Sequence, residues 1–139
     1  PRDESLNITA FFMKKGAGQL VDGTVYLDTN LDESLFLTPV DTTKRVSDYM
    51  IDLRSKEVRD VKILIPEKME VSSLPAPYQI HTAWVDFCRT YSQTDNQIVM
   101  HKECVIHHRR VPRSEIPAWN KIISDWGAAC NEQVVLKEK

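Results

Sequence analysis

The chain has few cysteines, almost no net charge and no long apolar run. Its three cysteines, Cys88, Cys104 and Cys130, are too few and too widely spaced for a disulfide scaffold, and their odd number leaves at least one thiol unpaired within the chain. A balance of 18 Lys plus Arg against 20 Asp plus Glu gives a formal charge of -2, which argues against nucleic acid as a partner. No stretch approaches the roughly 20 apolar residues of a membrane-spanning helix.

What the chain does have is the composition of one folded domain. With 139 residues, 42% of them apolar and 27% charged, it is long enough to bury one hydrophobic core. Residues 1–139 are therefore expected to form a single domain. It begins at Pro1 rather than at a methionine, so we expect a processed chain or a fragment of a larger protein. No cofactor is predicted.

Most of the chain consists of extended segments separated by turns. Val61, Ile63 and Ile65 alternate with other residues before a proline, which is typical of a strand. Asp95 and Asn96 tolerate left-handed backbone angles and predict the turn of a long hairpin. Strands are predicted over residues 6–13, 20–28, 35–40, 46–53, 58–65, 78–91, 98–108 and 133–136.

The last long strand has one face that we expect to be buried. Ile98, Met100, Cys104 and Ile106 share that face, because side chains in a strand repeat every two residues. Lys102 lies on the same face and is its one anomaly.

The two cysteines of the long hairpin are predicted to point to opposite faces. Phe87 and Tyr91 point one way and Cys88 the other, whereas Cys104 points into the core. We therefore expect no disulfide between Cys88 and Cys104.

One helix is predicted near the C-terminus, at about residues 114–130. Ser114 is a candidate N-cap, and Pro117 is tolerated in the first turn, where its missing N–H would be unpaired in any case. The apolar residues recur at three- and four-residue steps and form one stripe: Ile116, Trp119, Ile122, Ile123, Trp126 and Cys130. The predicted fold class is mostly β, a two-sheet antiparallel β-sandwich with this helix packed on it.

Four stretches from Val61 onward carry a resemblance to a known family. They cover about half of the chain: VKILIPEKMEVSSLPAPYQI, WVDFCRTY, NQIVMHKECVI and VPRSEIPAWNKIISDWGAACNEQVVL. Their order resembles the domain of unknown function that follows the transglutaminase-like core in Bacteroides-type bacterial proteins. The resemblance implies a non-catalytic accessory domain whose partners are the other domains of its parent chain. It also implies a periplasmic, cell-surface or secreted location.

A thiol enzyme is the most specific catalytic alternative that the sequence suggests. Cys88, His101 or His107, and Asp125 stand in the order that transglutaminase-like enzymes use. A nucleophilic cysteine, however, belongs at a helix N-terminus or beside a base, and Cys88 lies in a strand-like segment. We therefore predict no catalytic residue.

A metal site is suggested by four ligand-type residues within eight positions: His101, Cys104, His107 and His108. At about 3.3 Å per residue, His101 and His107 share a face but lie roughly 20 Å apart, while Cys104 and His108 face the other way about 13 Å apart. Neither pair can hold one zinc ion without a bulge or ligands from outside the strand. No metal site is predicted.

Two surface features remain as candidate binding elements. The basic segment, which comprises His107, His108, Arg109, Arg110 and Arg113, is either a solvated connection or a docking surface for an acidic neighbouring domain.

The second feature is a tryptophan that could bind a sugar ring. Trp119 and Trp126 are seven residues apart on the helical stripe and are therefore core residues. Trp84 alone is left as a possible ligand aromatic, which would make the chain a carbohydrate-binding β-sandwich module.

Overall fold

The computed structural model describes residues 16–30, 38–51 and 56–139. Within these ranges the helix α1 spans Ile116–Asn131 and follows a 3-10 turn at Arg113–Glu115. The strands are β1 Gly18–Val21, β2 Thr24–Leu27, β3 Tyr49–Met50, β4 Lys56–Leu64, β5 Met69–Ser73, β6 Tyr78–His81, β7 Val85–Gln93, β8 Gln97–Ile106, β9 Arg110–Val111 and β10 Val134–Glu138. The predicted mostly-β class with one C-terminal helix is confirmed.

The strands form two four-stranded antiparallel sheets and one small sheet. Sheet 1 has the order β1, β2, β10, β5, and sheet 2 has the order β4, β8, β7, β6. The small sheet pairs β3 with β9 and was not predicted, because two-residue strands carry no periodicity. The predicted strand at 46–53 is reduced to β3 among its described residues, and the predicted strand at 6–13 lies outside the described residues.

The segment predicted as a single strand over 20–28 is instead a hairpin. Asp22 and Gly23 have φ angles of 46° and 75°, and Val21 pairs with Thr24 across them. Two consecutive left-handed residues define the two-residue turn that fits the twist of antiparallel strands. The Asp-Gly dipeptide was the sequence signal for this turn.

The prediction of one strand over 78–91 is wrong in the same way. The Thr82 hydroxyl donates to the carbonyl of Val85 at 2.8 Å, and the hydroxyl oxygen of Thr82 also accepts a hydrogen bond from the backbone N–H of Val85 at 3.0 Å. These bonds close a turn between β6 and β7, which pair from Tyr78 with Arg89 to His81 with Asp86. A threonine side chain that satisfies the backbone of a turn competes with the extended conformation.

Three smaller differences concern two strands and the start of the helix. β5 was not predicted, although it pairs with β10 in sheet 1. The described part of the predicted strand 35–40, residues 38–40, contains no strand. Ser114 lies in the 3-10 turn, so Glu115 rather than Ser114 is the N-cap of α1, and its side chain makes no capping hydrogen bond.

The inner face of sheet 2 is covered by two different elements. Its first half packs against α1, and all six residues of the predicted helical stripe are buried there together with Val85, Phe87, Cys104 and Ile106. Its second half packs against sheet 1, where Ile98 contacts Val134 and Leu136 of β10. The predicted inward face of β8 is therefore confirmed, with Met100 also buried.

Two buried cations mark the boundary between these halves. Arg89 on β7 and Lys102 on β8 lie directly opposite each other and are 2% and 3% exposed. Arg89 donates to the carbonyl of Ala129 in the last turn of α1 and to the hydroxyl of Thr29. The last carbonyls of a helix lack partners within the helix, so a guanidinium beside them is favourable.

Cys88 and Cys104 do not oppose each other in the hairpin of β7 and β8. Cys104 pairs with Phe87 across the strands, and Cys88 pairs with Glu103. Cys104 thus points into the core and Cys88 to the outer face, and no disulfide joins them. In the part of the chain that the structure describes, no helix is long and apolar enough to cross a membrane.

Candidate functional site

Polar side chains from two strands and from the residue after a third strand meet on the outer face of sheet 2. His81 at the end of β6 pairs directly with Asp86 on β7, and His107 follows the end of β8. The N–H of His107 donates to the carbonyl of Trp84 at 2.7 Å, which ties this residue to the β6–β7 turn. We call His81, Asp86 and His107 the His–Asp–His cluster.

The carboxylate of Asp86 lies between the two imidazoles of this cluster. Nε2 of His107 is 2.7 Å from Oδ2 of Asp86, and Nδ1 of His81 lies against Oδ1. The two rings approach edge to face with centroids 6.0 Å apart. Partial burial on its own would raise the pKa of Asp86, but the hydrogen bond with His107 and the charges on His107 and His81 outweigh it and lower the pKa. Asp86 is therefore ionised at neutral pH.

The cluster borders a recess on the same face. Gln79, Cys88 and Glu103 line it beside His81 and Asp86. Cys88 is half-buried there.

The structure does not bring together the three residues of the thiol-enzyme alternative. Cys88 and His101 lie on the outer face of sheet 2, where Nδ1 of His101 is 2.7 Å from Oδ1 of Asp60. Asp125 is exposed on α1, which covers the inner face, and accepts a hydrogen bond from Lys121 at 2.8 Å. The sheet therefore separates Asp125 from the other two residues.

The four ligand-type residues of the β8 region are also kept apart. Cys104 is 5% exposed in the core, whereas His101 and His107 are half-buried on the other side of the sheet and His108 is exposed. Within the described residues, the group that does converge is the His–Asp–His cluster, whose ligand atoms all lie within 4.8 Å of one another. Sequence reasoning missed it because His81 and Asp86 were placed in one continuous strand.

Asp48 holds two of the arginines of the basic segment in place. Asp48 accepts from Nε of Arg110 at 2.6 Å and from the backbone N–H of Arg113 at 2.8 Å. Nε of Arg109 donates to the carbonyl of Ile51 at 2.9 Å. The side chain of Arg110 is nevertheless 71% exposed, so the segment presents positive charge to solvent.

Asp48 should make the fold around the basic segment pH-sensitive. The backbone N–H of Arg113, followed by the side chain of Arg110, lowers the pKa of Asp48. Because the folded pKa lies below the unfolded value of about 3.9, this stabilisation is present at neutral pH and is lost as the pH falls through the folded pKa.

We therefore expect Asp48→Asn to lower the urea midpoint at pH 7, and to fall short of the parent chain by less at pH 2.5, as judged by circular dichroism. Asp95→Asn, in an exposed hairpin turn, is the matched control and should change neither midpoint. An Asp48→Asn deficit that stays the same size at both pH values would contradict this assignment.

Trp84, the candidate ligand aromatic, is half-buried at the edge of the core. Its ring meets Trp119 edge to face with centroids 6.3 Å apart. Its carbonyl accepts the N–H groups of His107 and His108. The residue thus has a packing role in the rim of the fold.

The fold and the site together define a class: an antiparallel, mostly-β domain closed by one C-terminal helix. The model of a family of domains of unknown function with a solved structure, DUF3858, matches residues 23–136. The chain belongs to this family.

A solved structure with a similar fold comes from a Bacteroides-type bacterium. It is the crystal structure of a "putative protease" from Parabacteroides distasonis ATCC 8503, with a TM-score of 0.64 and 14% sequence identity. The similarity covers 84% of this chain but only 24% of that protein, and at this identity it shows the fold alone. No protein of curated function matches the chain. The coarser part of the sequence resemblance, a domain of unknown function with a Bacteroides-type relative, is thereby confirmed.

Proposed function

We propose that this chain is a non-catalytic accessory domain that flanks a transglutaminase-like, papain-like module in a larger bacterial protein. The observation that carries the proposal is the coverage of its structural relative: this fold accounts for 24% of a protein named for protease activity. The remaining part of such a protein offers room for a separate catalytic module. The transglutaminase-like character of that module is inferred from the sequence stretches beginning at Val61.

The placement of the cysteines supports a non-catalytic role. Cys104 and Cys130 are 5% and 1% exposed, so substrate has no access to them. Cys130 also lies in the last turn of α1 rather than at a helix N-terminus, where a thiolate is favoured. Cys88 lies within a strand, and a nucleophilic thiol needs a base within about 2.6 to 3.2 Å that a third group orients. In the described ranges Cys88 has no histidine at hydrogen-bond distance.

The basic segment is the docking surface in this proposal. His108, Arg109, Arg110 and Arg113 are exposed on one connection between sheet 2 and α1. Asp48 neutralises part of this charge and holds the backbone in place. An acidic surface on a neighbouring domain of the same parent chain would complement what remains.

The proposal includes an exported location, periplasmic or at the cell surface. Its support is the resemblance to an exported bacterial family. Fractionation of cells that make the parent protein would test it, with recovery in the cytoplasmic fraction as the contrary result.

Two measurements test the accessory role. The 139-residue chain alone should show no acyl-transfer, peptidase or amidase activity. It should also bind the remainder of the parent protein when the two are supplied as separate polypeptides. Turnover of an ester or amide that disappears with Cys88→Ser would refute the proposal.

The docking surface is tested by paired substitutions. Arg110→Ala with Arg113→Ala should weaken that association about tenfold, or about 1.4 kcal/mol, and make it less dependent on salt. Lys62→Ala with Lys121→Ala removes two exposed cations elsewhere and should leave the association unchanged. Equal losses in both double variants would place the docking surface elsewhere.

A further inference from the structure

We propose that the His–Asp–His cluster is a binding site for a divalent transition metal of the zinc class. Two imidazole nitrogens and a carboxylate oxygen converge from three separate segments on the outer face of sheet 2, within 4.8 Å of one another. This placement leaves them in contact with solvent. Of the three, only His107 also belongs to the basic segment, and the arginines substituted in the docking test, Arg110 and Arg113, lie outside the cluster. A zinc site and the accessory role can therefore be tested independently.

The donor set selects the class of metal. Imidazole nitrogen suits Zn²⁺, Co²⁺, Ni²⁺ and Cu²⁺, whereas Ca²⁺ and Mg²⁺ take oxygen ligands almost exclusively. Two histidines and one carboxylate with an open fourth position is a set that zinc accepts in proteins. The exposed fractions of the side chains, 81% for His81, 34% for Asp86 and 37% for His107, leave that fourth position to water.

The site needs only a small adjustment to close on an ion. Metal–ligand distances of about 2.0 to 2.2 Å in a tetrahedron put ligand atoms about 3.3 to 3.6 Å apart. The most distant pair of ligand atoms must therefore approach by at most about 1.5 Å, whereas Nε2 of His107 and Oδ2 of Asp86, now 2.7 Å apart, must separate by about 0.6 to 0.9 Å. His81 can supply this movement, because its mostly exposed ring can rotate without disturbing the core.

The backbones that carry the three ligands are already fixed relative to one another. His81 and Asp86 form a direct cross-strand pair in the β6–β7 hairpin. His107 is tied to that hairpin by the bond from its N–H to the carbonyl of Trp84. A bound ion would thus link the hairpin to the end of β8 on a preformed frame.

A zinc site at His107 differs from the sequence-based expectation of no metal site. That expectation considered partners within the strand of His107, where none is within reach, and left open only a bulge or ligands from outside that strand. The β6–β7 hairpin supplies them.

The test is calorimetric titration of the 139-residue chain with ZnCl₂. We expect one equivalent to bind, and His81→Gln and His107→Gln should each weaken binding roughly tenfold or more, as even the loss of an outer-shell partner does at metal sites. His101→Gln is the matched control. That histidine lies on the same face of β8, and its Nδ1 is 2.7 Å from Oδ1 of Asp60. Among the described residues, however, it is not part of a group of three metal-ligand side chains. The His101→Gln variant should bind Zn²⁺ as the parent chain does.

Thermal unfolding provides a second readout. Excess Zn²⁺ should raise the Tm of the parent chain and of His101→Gln, because a ligand that binds only the folded state stabilises that state. The Tm of the double variant His81→Gln, His107→Gln should not change. CaCl₂ should have no effect. His81 is so exposed that His81→Gln leaves the fold intact and is decisive alone. No zinc binding below about 1 mM, or equal affinity in His81→Gln, would overturn the proposal.

Discussion

Replacing Trp126 with alanine is expected to lower the free energy of unfolding by about 3 to 5 kcal/mol. Trp126 is 0% exposed and lies where α1 meets sheet 2. Its indole stacks on Phe87 with centroids 4.8 Å apart and an interplanar angle of 19°, and Tyr78 packs beside it at 5.7 Å. Truncation removes these contacts and leaves a cavity between helix and sheet. Urea denaturation followed by circular dichroism measures the loss.

Two variants on the same helix calibrate this result. Trp126→Phe keeps an aromatic ring against Phe87, and the indole N–H makes no hydrogen bond to a described residue, so the loss should be clearly smaller. Lys121→Ala removes an exposed i,i+4 ion pair with Asp125 and should change stability by less than about 0.5 kcal/mol. A loss below about 1 kcal/mol for Trp126→Ala would mean that this side of α1 does not pack on the sheet.

Replacing Arg89 with alanine is expected to cost about 3 kcal/mol or more. The guanidinium donates to the carbonyls of Ala129 and Glu132 and to the hydroxyl of Thr29, and it lies 5.1 Å from the ring of Tyr91. A hydrogen bond from a charged group contributes about 1.5 to 3 kcal/mol. The bonds to Ala129 and Thr29 account for the expected loss, and the hydroxyl of Thr29 keeps its bond with Tyr91 afterwards. The same denaturation experiment measures the effect.

Conservative variants separate the roles of charge and shape at this site. Arg89→Lys keeps the charge beside the end of α1 but lacks the planar fork that reaches several acceptors, so an intermediate loss is expected. Arg89→Met keeps the apolar stem and should resemble Arg89→Ala. Stability within about 1 kcal/mol of the parent chain in Arg89→Ala would show that water replaces the lost bonds.

Trp126 and Arg89 stabilise different contacts between the layers of the fold. Trp126 fixes the middle of α1 on sheet 2 through aromatic packing. Arg89 fixes the end of α1 and, through Glu132 and Thr29, the chain that enters and leaves sheet 1. Since these contacts lie on the inner face of sheet 2, substitutions there should leave the outer-face cluster and the basic segment unchanged in local structure.

The sequence by itself determined the elements whose signals are local and periodic. The stripe from Ile116 to Cys130 repeats at the helical period, and the inward face of β8 repeats at the strand period, so both were predictable without knowing their neighbours. The turn at Asp95 and Asn96 was predictable from turn chemistry, and the last strand from its short apolar run.

Tertiary structure alone decided which faces and strands become neighbours. A two-residue period shows that Lys102 points inward, but not that Arg89 lies opposite it or that α1 ends beside Arg89. His81 and Asp86 lie side by side only because the chain turns at Thr82, and the bond to Trp84 then brings His107 against them. Strand registers depend on contacts between residues that are distant in the chain, and a local pattern does not give the free energies of those contacts. For that reason the core could be predicted from the sequence, whereas the candidate metal site could not.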